Sequence, residues 1–126
     1  MHARARQGSC VHQGVPKIGR LDANKSPDAL LRASKEVLKS FPETKIVFGG
    51  DGEVEKNKRL AEELGIADRC EFRGWVTGNE REALFERAAV YCLPSKNEGL
   101  PMSVLEAMAR GIPTVATPVG GIPQVI

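Results

Sequence analysis

From residue 15 onward, short apolar runs alternate along the chain with longer segments of helical periodicity. Short runs rich in β-branched and aromatic residues favour buried strands, whereas apolar residues three and four positions apart favour helices. Strands that alternate with helices of about 10–14 residues form right-handed crossovers over a parallel sheet. The pattern therefore predicts an α/β domain in which a Rossmann-like parallel sheet of about five strands is flanked by helices.

The individual elements can be predicted from the same pattern. Strands are expected at 15–18, 45–48, 70–72, 90–93 and 114–116, and helices at 27–40, 54–64, 79–88 and 101–110. Ser26 is expected to cap the first helix, and residues 79–82 resemble a capping box. Pro101 suits a first helical position, and Gly65 and Gly111 suit the ends of helices.

Composition excludes several classes of function. The chain has 126 residues, enough for one domain. Its 18 basic and 16 acidic side chains give a net charge of +2, which offers no electrostatic basis for binding nucleic acid. No stretch approaches the roughly 20 apolar residues of a membrane span. The three cysteines are too far apart for a C-x-x-C pair, so a disulfide framework or a metal site is not expected. We predict a cytoplasmic domain over 15–126, preceded by an irregular arm at 1–14.

Two glutamates, Glu98 and Glu106, lie in a segment with the pattern of a loop followed by a helix. The N-terminus of a helix favours oxygen-rich and anionic ligands, because its backbone N–H groups are free and its dipole is positive. A carboxylate near it can accept hydrogen bonds from two neighbouring hydroxyls of a sugar. The alternative is that both glutamates simply face solvent, as most helical glutamates do.

Other polar residues follow the predicted strands at the same edge of the sheet. In open parallel sheets, ligands bind beyond the carboxyl ends of the strands. The residues expected at this edge are Arg20 and Lys25, Gly49 to Gly52, Arg73 and Gly74, and Ser95 to Glu98. Arginine and lysine there can hold a diphosphate and stabilise the negative charge that develops as it leaves. Taken singly, the cations could be ordinary surface residues and the glycines a turn, and we expect Trp75 to pack in the core or anchor its loop.

Five segments, in this order and spacing, resemble the family-4 glycosyltransferases with the GT-B fold over roughly residues 15–126. They are Ile18-Gly19-Arg20-Leu21 with Lys25, Ile46 through Gly52, Glu71 through Val76, Pro94-Ser95 with Glu98 through Glu106, and Gly120-Gly121-Ile122-Pro123. The resemblance implies the C-terminal, nucleotide-sugar-binding half of such an enzyme, which transfers a hexose from a nucleoside-diphosphate donor with retention and without a metal. The donor implied is UDP- or GDP-linked.

The resemblance also implies a role for individual residues. Arg20 and Lys25 match the diphosphate-binding pair, Glu106 the carboxylate that holds the ribose hydroxyls, and Glu98 the carboxylate that contacts the donor sugar. The catalytic residues implied are Glu98, Arg20 and Lys25. The remaining binding positions implied are Gly50, Ser95, the backbone N–H groups of Gly99 and Leu100, and Arg73 and Gly74 near the base.

The chain departs from the family pattern in ways that leave alternatives open. An N-terminal acceptor domain and the elements after residue 126 are not in the sequence, and Gln124 and Ser26 replace a common glutamate and glycine. We therefore expect little activity from this chain alone, and self-association through the strand at 114–116, which would be an unpaired edge. The alternatives are a non-catalytic nucleotide-sugar-binding or oligomerisation module, and a relative of the GT-B epimerases or phosphorylases.

Overall fold

The computed structural model describes residues 14–99 and 102–125. The strands are β1 Gly14–Ile18, β2 Lys45–Gly49, β3 Cys70–Phe72, β4 Tyr91–Leu93 and β5 Thr114–Ala116. The helices are α1 Pro27–Ser40, α2 Val54–Glu63, α3 Gly78–Glu86, α4 Met102–Ala109 and α5 Ile122–Val125, with a 3₁₀ turn at Ala67–Arg69. The predicted arm at 1–14, apart from Gly14, lies outside the described residues, as do Leu100 and Pro101.

All strand pairs are parallel, and helices flank them, so the predicted α/β class is confirmed. The strands form two hydrogen-bonded units, one with the order β1-β2-β3 and one made of β4 and β5. β1 lies beside β4, yet in the part of the chain that the structure describes their backbones are linked only at one end, where Gly14 exchanges hydrogen bonds with Arg87 and Ala89 just before β4. Among the described residues, the predicted continuous sheet is therefore interrupted between β1 and β4.

Tyr91 fills part of this interruption. Its buried hydroxyl accepts a hydrogen bond from the Ile18 N–H at 3.4 Å and lies 2.8 Å from the Ser103 hydroxyl. A tyrosine side chain thus contacts a backbone group of β1 where a ladder would otherwise satisfy it. Burial raises the pKa of Tyr91 to about 12, so the hydroxyl stays protonated at physiological pH.

Two apolar clusters form most of the core. The first packs β1 to β3 against α1 and α2, with Leu31, Phe48 and Ala61 fully buried. The second packs β4 and β5 against α3 and α4, with Phe85 and Val104 fully buried. Helices therefore pack against both hydrogen-bonded units, as expected for a layered α/β domain.

The helix ends differ in detail from the sequence prediction. Gly65 and Gly111 end their helices with φ values of 76° and 73°, as expected. The predicted side-chain cap at Ser26 is wrong, because its hydroxyl bonds to the Ala23 carbonyl oxygen and its backbone is left-handed. The capping box at 79–82 is also wrong, since α3 begins at Gly78 and Thr77 makes no side-chain cap. Trp75 does not belong to the core either, because it is 72% exposed.

Gly50 is required by the close approach of two loops. A Cβ atom at this position would overlap the carbonyl oxygen of Gly19, which is backbone and cannot move aside. The contact holds the chain after β2 against the chain after β1, where Gly19 N–H donates to the Gly49 carbonyl oxygen at 3.0 Å. Gly50 therefore has a packing reason that is independent of any ligand.

Replacing Gly50 with alanine should destabilise the domain by about 2–3 kcal/mol, because backbone must shift to relieve the overlap. Urea unfolding followed by circular dichroism would measure the loss. Gly99→Ala is a matched control, since a Cβ there meets no atom within 4 Å. Equal unfolding midpoints for the two variants would contradict this account of the loop contact.

Candidate functional site

The loops after β1 and β2 are joined by backbone hydrogen bonds. Leu21 N–H donates to the Asp51 carbonyl oxygen at 2.8 Å, and Glu53 N–H donates to the Leu21 carbonyl oxygen at 2.8 Å. This arrangement fixes the backbone around Arg20, whose side chain is 59% exposed and lies 3.4 Å from Asp51. Exposed ion pairs of this kind contribute little to stability, so the guanidinium remains available to a ligand.

Several hydrogen bonds join the loops after β1 and β4, and we call this junction the seam. Lys25 Nζ lies 2.7 Å from Glu98 Oε2, Lys96 N–H donates to the Asn24 carbonyl oxygen at 2.7 Å, and Asn24 Nδ2 donates to the Asn97 carbonyl oxygen at 3.2 Å. The residues that pair are more than 70 positions apart in sequence. The seam brings together a cation and a carboxylate that the sequence predicted at the same edge of the sheet.

Glu98 is the more buried member of this ion pair, with a side chain only 8% exposed. Burial by itself would raise the pKa of Glu98, but the hydrogen bond and charge of Lys25, with smaller effects of the nearby Ser95 hydroxyl and the charge of Lys17, outweigh it, so the pKa lies below its usual value. The carboxylate is therefore ionised at neutral pH. Gly120 packs closely against the same loop, since a Cβ at this position would overlap the Glu98 carbonyl oxygen.

Ser95 is also buried at the seam. Its Oγ is inaccessible to solvent and, among the described residues, makes no hydrogen bond of normal geometry, although it lies close enough to lower the pKa of Glu98. Its carbonyl oxygen accepts a hydrogen bond from the Thr117 hydroxyl, which ties the loop after β4 to the loop after β5. A buried hydroxyl without a full partner is a group that a ligand could satisfy.

Glu106 has a partner that the sequence did not suggest. Both of its carboxylate oxygens accept hydrogen bonds from the guanidinium of Arg81 on α3, one of them at 2.6 Å. Arg81 also lies 5.1 Å from the centre of the Phe85 ring, which holds the guanidinium in place. The hydrogen bond from Arg81 is the main reason that the pKa of Glu106 lies below its usual value.

The other predicted binding residues have separate partners. Arg73 on the loop after β3 binds back to Glu71, with its Nη2 2.8 Å from Oε1, and Glu71 in turn meets Lys45. Gly74 has a φ of 72° and begins the turn that exposes Trp75. Of the residues predicted from sequence, the structure thus brings Lys25, Ser95 and Glu98 together, with Arg20 on the loop that also carries Lys25.

Lys17 is a charged residue that sequence reasoning missed. It lies in β1 and is fully buried, and its Nζ donates to the Arg20 carbonyl oxygen at 3.5 Å. A single lysine within a short apolar run gives no sign of its role, so only the fold shows that it lies beneath the site. The role of Arg81 is likewise not visible in the sequence, where the residues around it resemble a capping box.

A cavity of about 480 Å³ lies between α1 and α2 and borders this site at one end. It reaches the loops after β1 and β4 only through Asp22, Ala23 and Lys96, and charges of both signs line it. The candidate site is therefore assigned from the charged groups at the strand ends rather than from the volume of a cavity.

Within residues 14–99 and 102–125, no cluster of histidine, cysteine and acidic residues could hold a metal ion. In the same part of the chain, no helix is long and apolar enough to cross a bilayer.

Residues 14–126 match the family model described as glycosyl transferases group 1. The chain belongs to this family. It is 40% identical to an uncharacterized glycosyltransferase of Haemophilus influenzae over 103 residues, which cover 81% of this chain and 29% of that protein. Among the curated relatives it matches, this chain spans 23% to 31% of their length.

Solved structures agree on the fold of the family's C-terminal domain. The C-terminal domain of a glycosyl transferase group 1 family protein from Francisella tularensis superposes with a TM-score of 0.80 at 25% identity, over 90% of this chain and 62% of that one. The Anabaena protein HepE, crystallised with UDP and glucose, superposes with a TM-score of 0.81 at 22% identity, over 98% of this chain and 35% of that one. The described residues therefore have the fold of the C-terminal half of a GT-B enzyme.

Replacing Arg81 with leucine should raise the pKa of Glu106 toward its usual 4.5, because the variant lacks the hydrogen bond that lowers it most. A carboxyl ¹³C NMR titration would measure the change. The variant should also lose about 1 kcal/mol of stability at pH 7, and this difference should vanish as pH falls through the lowered pKa of Glu106. Arg87→Leu, at an exposed arginine just after the same helix, is the control. An unchanged Glu106 pKa in Arg81→Leu would refute the pairing.

Proposed function

We propose that residues 15–126 are the nucleotide-sugar-binding domain of a retaining, family-4 glycosyltransferase of the hexosyltransferase type. In this proposal, a separate acceptor-binding domain completes the cleft, and this chain alone has little transfer activity. No metal is required, because two cations of the chain serve the diphosphate. The free thiols of Cys70 and Cys92 support a reducing, cytoplasmic setting.

The observation that carries the proposal is the Lys25–Glu98 pair at the seam, beside Arg20, in a chain of the glycosyl transferases group 1 family. An ammonium has three hydrogens to donate, and Glu98 takes one of them, so two remain for phosphate oxygens. Arg20 adds an exposed planar guanidinium on the same loop. Fixed cations at this position would stabilise the negative charge that develops on the leaving diphosphate.

Glu98 and Glu106 are proposed to hold the hydroxyl groups of the donor. Only Oε2 of Glu98 meets Lys25, which leaves Oε1 for a hydroxyl of the transferred sugar. Each Glu106 oxygen has two lone pairs and gives one to Arg81, so one on each oxygen remains for the ribose hydroxyls. Further proposed contacts of the donor come from Gly50, Arg73, Gly74, Ser95, Gly99 and Leu100.

An amide NMR titration of the 126-residue chain with UDP, GDP and ADP and their sugar conjugates tests this proposal. We expect saturable shifts at Arg20, Lys25 and 95–106 for one nucleotide, with a dissociation constant on the order of 1 mM because only one wall of the cleft is present. Glu106→Gln should weaken binding by about tenfold or more, since it removes charge-assisted hydrogen bonds.

Glu62→Gln is the matched control, because Glu62 is an exposed helical glutamate on α2. It should bind the nucleotide as the original chain does. Shifts that stay absent at several millimolar of every nucleotide would overturn the donor-binding proposal. Binding that Glu106→Gln leaves unchanged would keep the donor site but remove Glu106 from it.

The second candidate function is an oligomerisation module, and β5 favours it. Among the described residues, β5 pairs with β4 on one side only, and Val115 in its centre is 61% exposed. An apolar, half-paired strand can pair with another chain. We propose that a second copy of this chain covers the edge when the chain is isolated, a role compatible with donor binding.

Size-exclusion chromatography with light scattering should show dimers whose fraction grows with concentration. Val115→Lys should shift the equilibrium to the monomer, because a charge on an edge strand opposes pairing. Val37→Lys is the matched control, since Val37 is another exposed valine but lies on α1. A monodisperse monomer at high concentration would exclude the association.

A further inference from the structure

Lys17 is chemically unusual for its position. It is a fully buried lysine in β1, an outer strand of its three-stranded unit, and lysine is almost never fully buried unless it is paired. Its Nζ makes one long hydrogen bond, 3.5 Å to the Arg20 carbonyl oxygen, although an ammonium has three hydrogens to donate. Burying a charge with so few partners costs stability, and a purely structural role would be served better by an apolar residue.

The charged groups around Lys17 belong to the candidate donor site. Asp22 and Lys25 face it from the loop after β1, Glu98 from the loop after β4, and Cys92 from β4 itself. Its neighbour in β2 is Phe48, which carries no charge. Burial, and after it the positive charge of Lys25, lowers the pKa of Lys17 to about 8. The ammonium of Lys17 therefore loses its proton easily when no anion is bound beside the nearby cations.

We propose that Lys17 is a positioning residue of the phosphate site, and that it takes up a proton when a nucleoside diphosphate binds at Arg20 and Lys25. This inference rests on the proposed function, because it requires the diphosphate to bind there. The negative charge of the diphosphate offsets the positive charge of the Lys25 ammonium. It therefore favours a second ammonium, that of Lys17, beneath the site. Protonated Lys17 donates to the Arg20 carbonyl oxygen and so holds the loop that presents both cations.

The proton uptake makes donor affinity depend on pH. Binding to the protonated form is favoured, so affinity should fall as pH rises above about 8, by at most about tenfold per pH unit for one proton. Lys17 does not touch the ligand in this mechanism. Its effect is seen in proton uptake and in the pH profile, which a residue with only a packing role would not change.

Isothermal titration calorimetry with UDP at pH 8, in HEPES and in Tris, measures the protons taken up, because the two buffers differ in ionisation enthalpy. GDP or ADP replaces UDP if the NMR titration selects it. We expect uptake of roughly half a proton by the original chain. Lys17→Met should abolish it and give an affinity with less dependence on pH. Ionisation of the nucleotide itself is the same for both proteins, so the difference belongs to Lys17.

Three further measurements keep the outcome interpretable. Lys45→Met removes a half-buried strand lysine that pairs with Glu71, and it should retain the uptake. Lys17→Met is expected to fold with a higher urea midpoint at pH 7, because methionine has a similar length and no charge to bury. A ¹³Cε NMR titration of Lys17 in the original chain, with and without the nucleotide, reports the same proton without any substitution.

Uptake that disappears in Lys17→Met but persists in Lys45→Met, with a Lys17 pKa that rises on binding, would support the inference. Uptake that persists in Lys17→Met would overturn it, as would binding of the nucleotide by the original chain without uptake; both results leave the proposed function intact. Failure of UDP, GDP and ADP to bind at all would instead remove the proposed function, and this inference with it.

Discussion

The seam between the loops after β1 and β4 is the contact on which the candidate site depends. β1 and β4 lie side by side without a continuous ladder, so the Lys25–Glu98 pair and the contacts of Asn24 hold the two halves of the edge together. An ion pair whose carboxylate is nearly buried is strongly oriented, because few other positions would satisfy both charges. The seam therefore fixes the separation between a cation and an acid that belong to different halves of the chain.

Both glutamates that the sequence predicts for the site are matched to a cation. Glu98 meets Lys25 and Glu106 meets Arg81, and in both cases the pKa of the acid is lowered below its usual value. The matching keeps both acids ionised, and ionised carboxylates are the stronger acceptors for sugar hydroxyls. The unusual charge is Lys17, which is buried next to another lysine.

Much of the fold could be predicted from sequence, because the spacing of apolar residues and the glycines that end helices are local properties of the chain. The apolar runs gave the five strands within one or two residues, and Gly65 and Gly111 marked helix ends through their left-handed backbone. The convergence of Lys25 with Glu98 followed from a rule about parallel sheets. What sequence could not give were contacts chosen by tertiary packing, such as the Arg81–Glu106 pair and the Tyr91 hydroxyl beside β1. The side-chain cap predicted at Ser26 does not form, because its hydroxyl bonds to the Ala23 carbonyl oxygen instead.

The division of the strands into two hydrogen-bonded units has a consequence for cooperativity. Each unit has its own apolar cluster, and the polar contacts described between them include the backbone hydrogen bonds of Gly14, the Tyr91 hydroxyl and the seam. Such units can open with separate free energies, so backbone amides in β2 and β4 need not exchange with solvent together. A ligand held by groups on both sides of the seam must be released before either unit opens. If the proposed ligand binds there, it would therefore couple the two local unfolding reactions, and it would stabilise both units together.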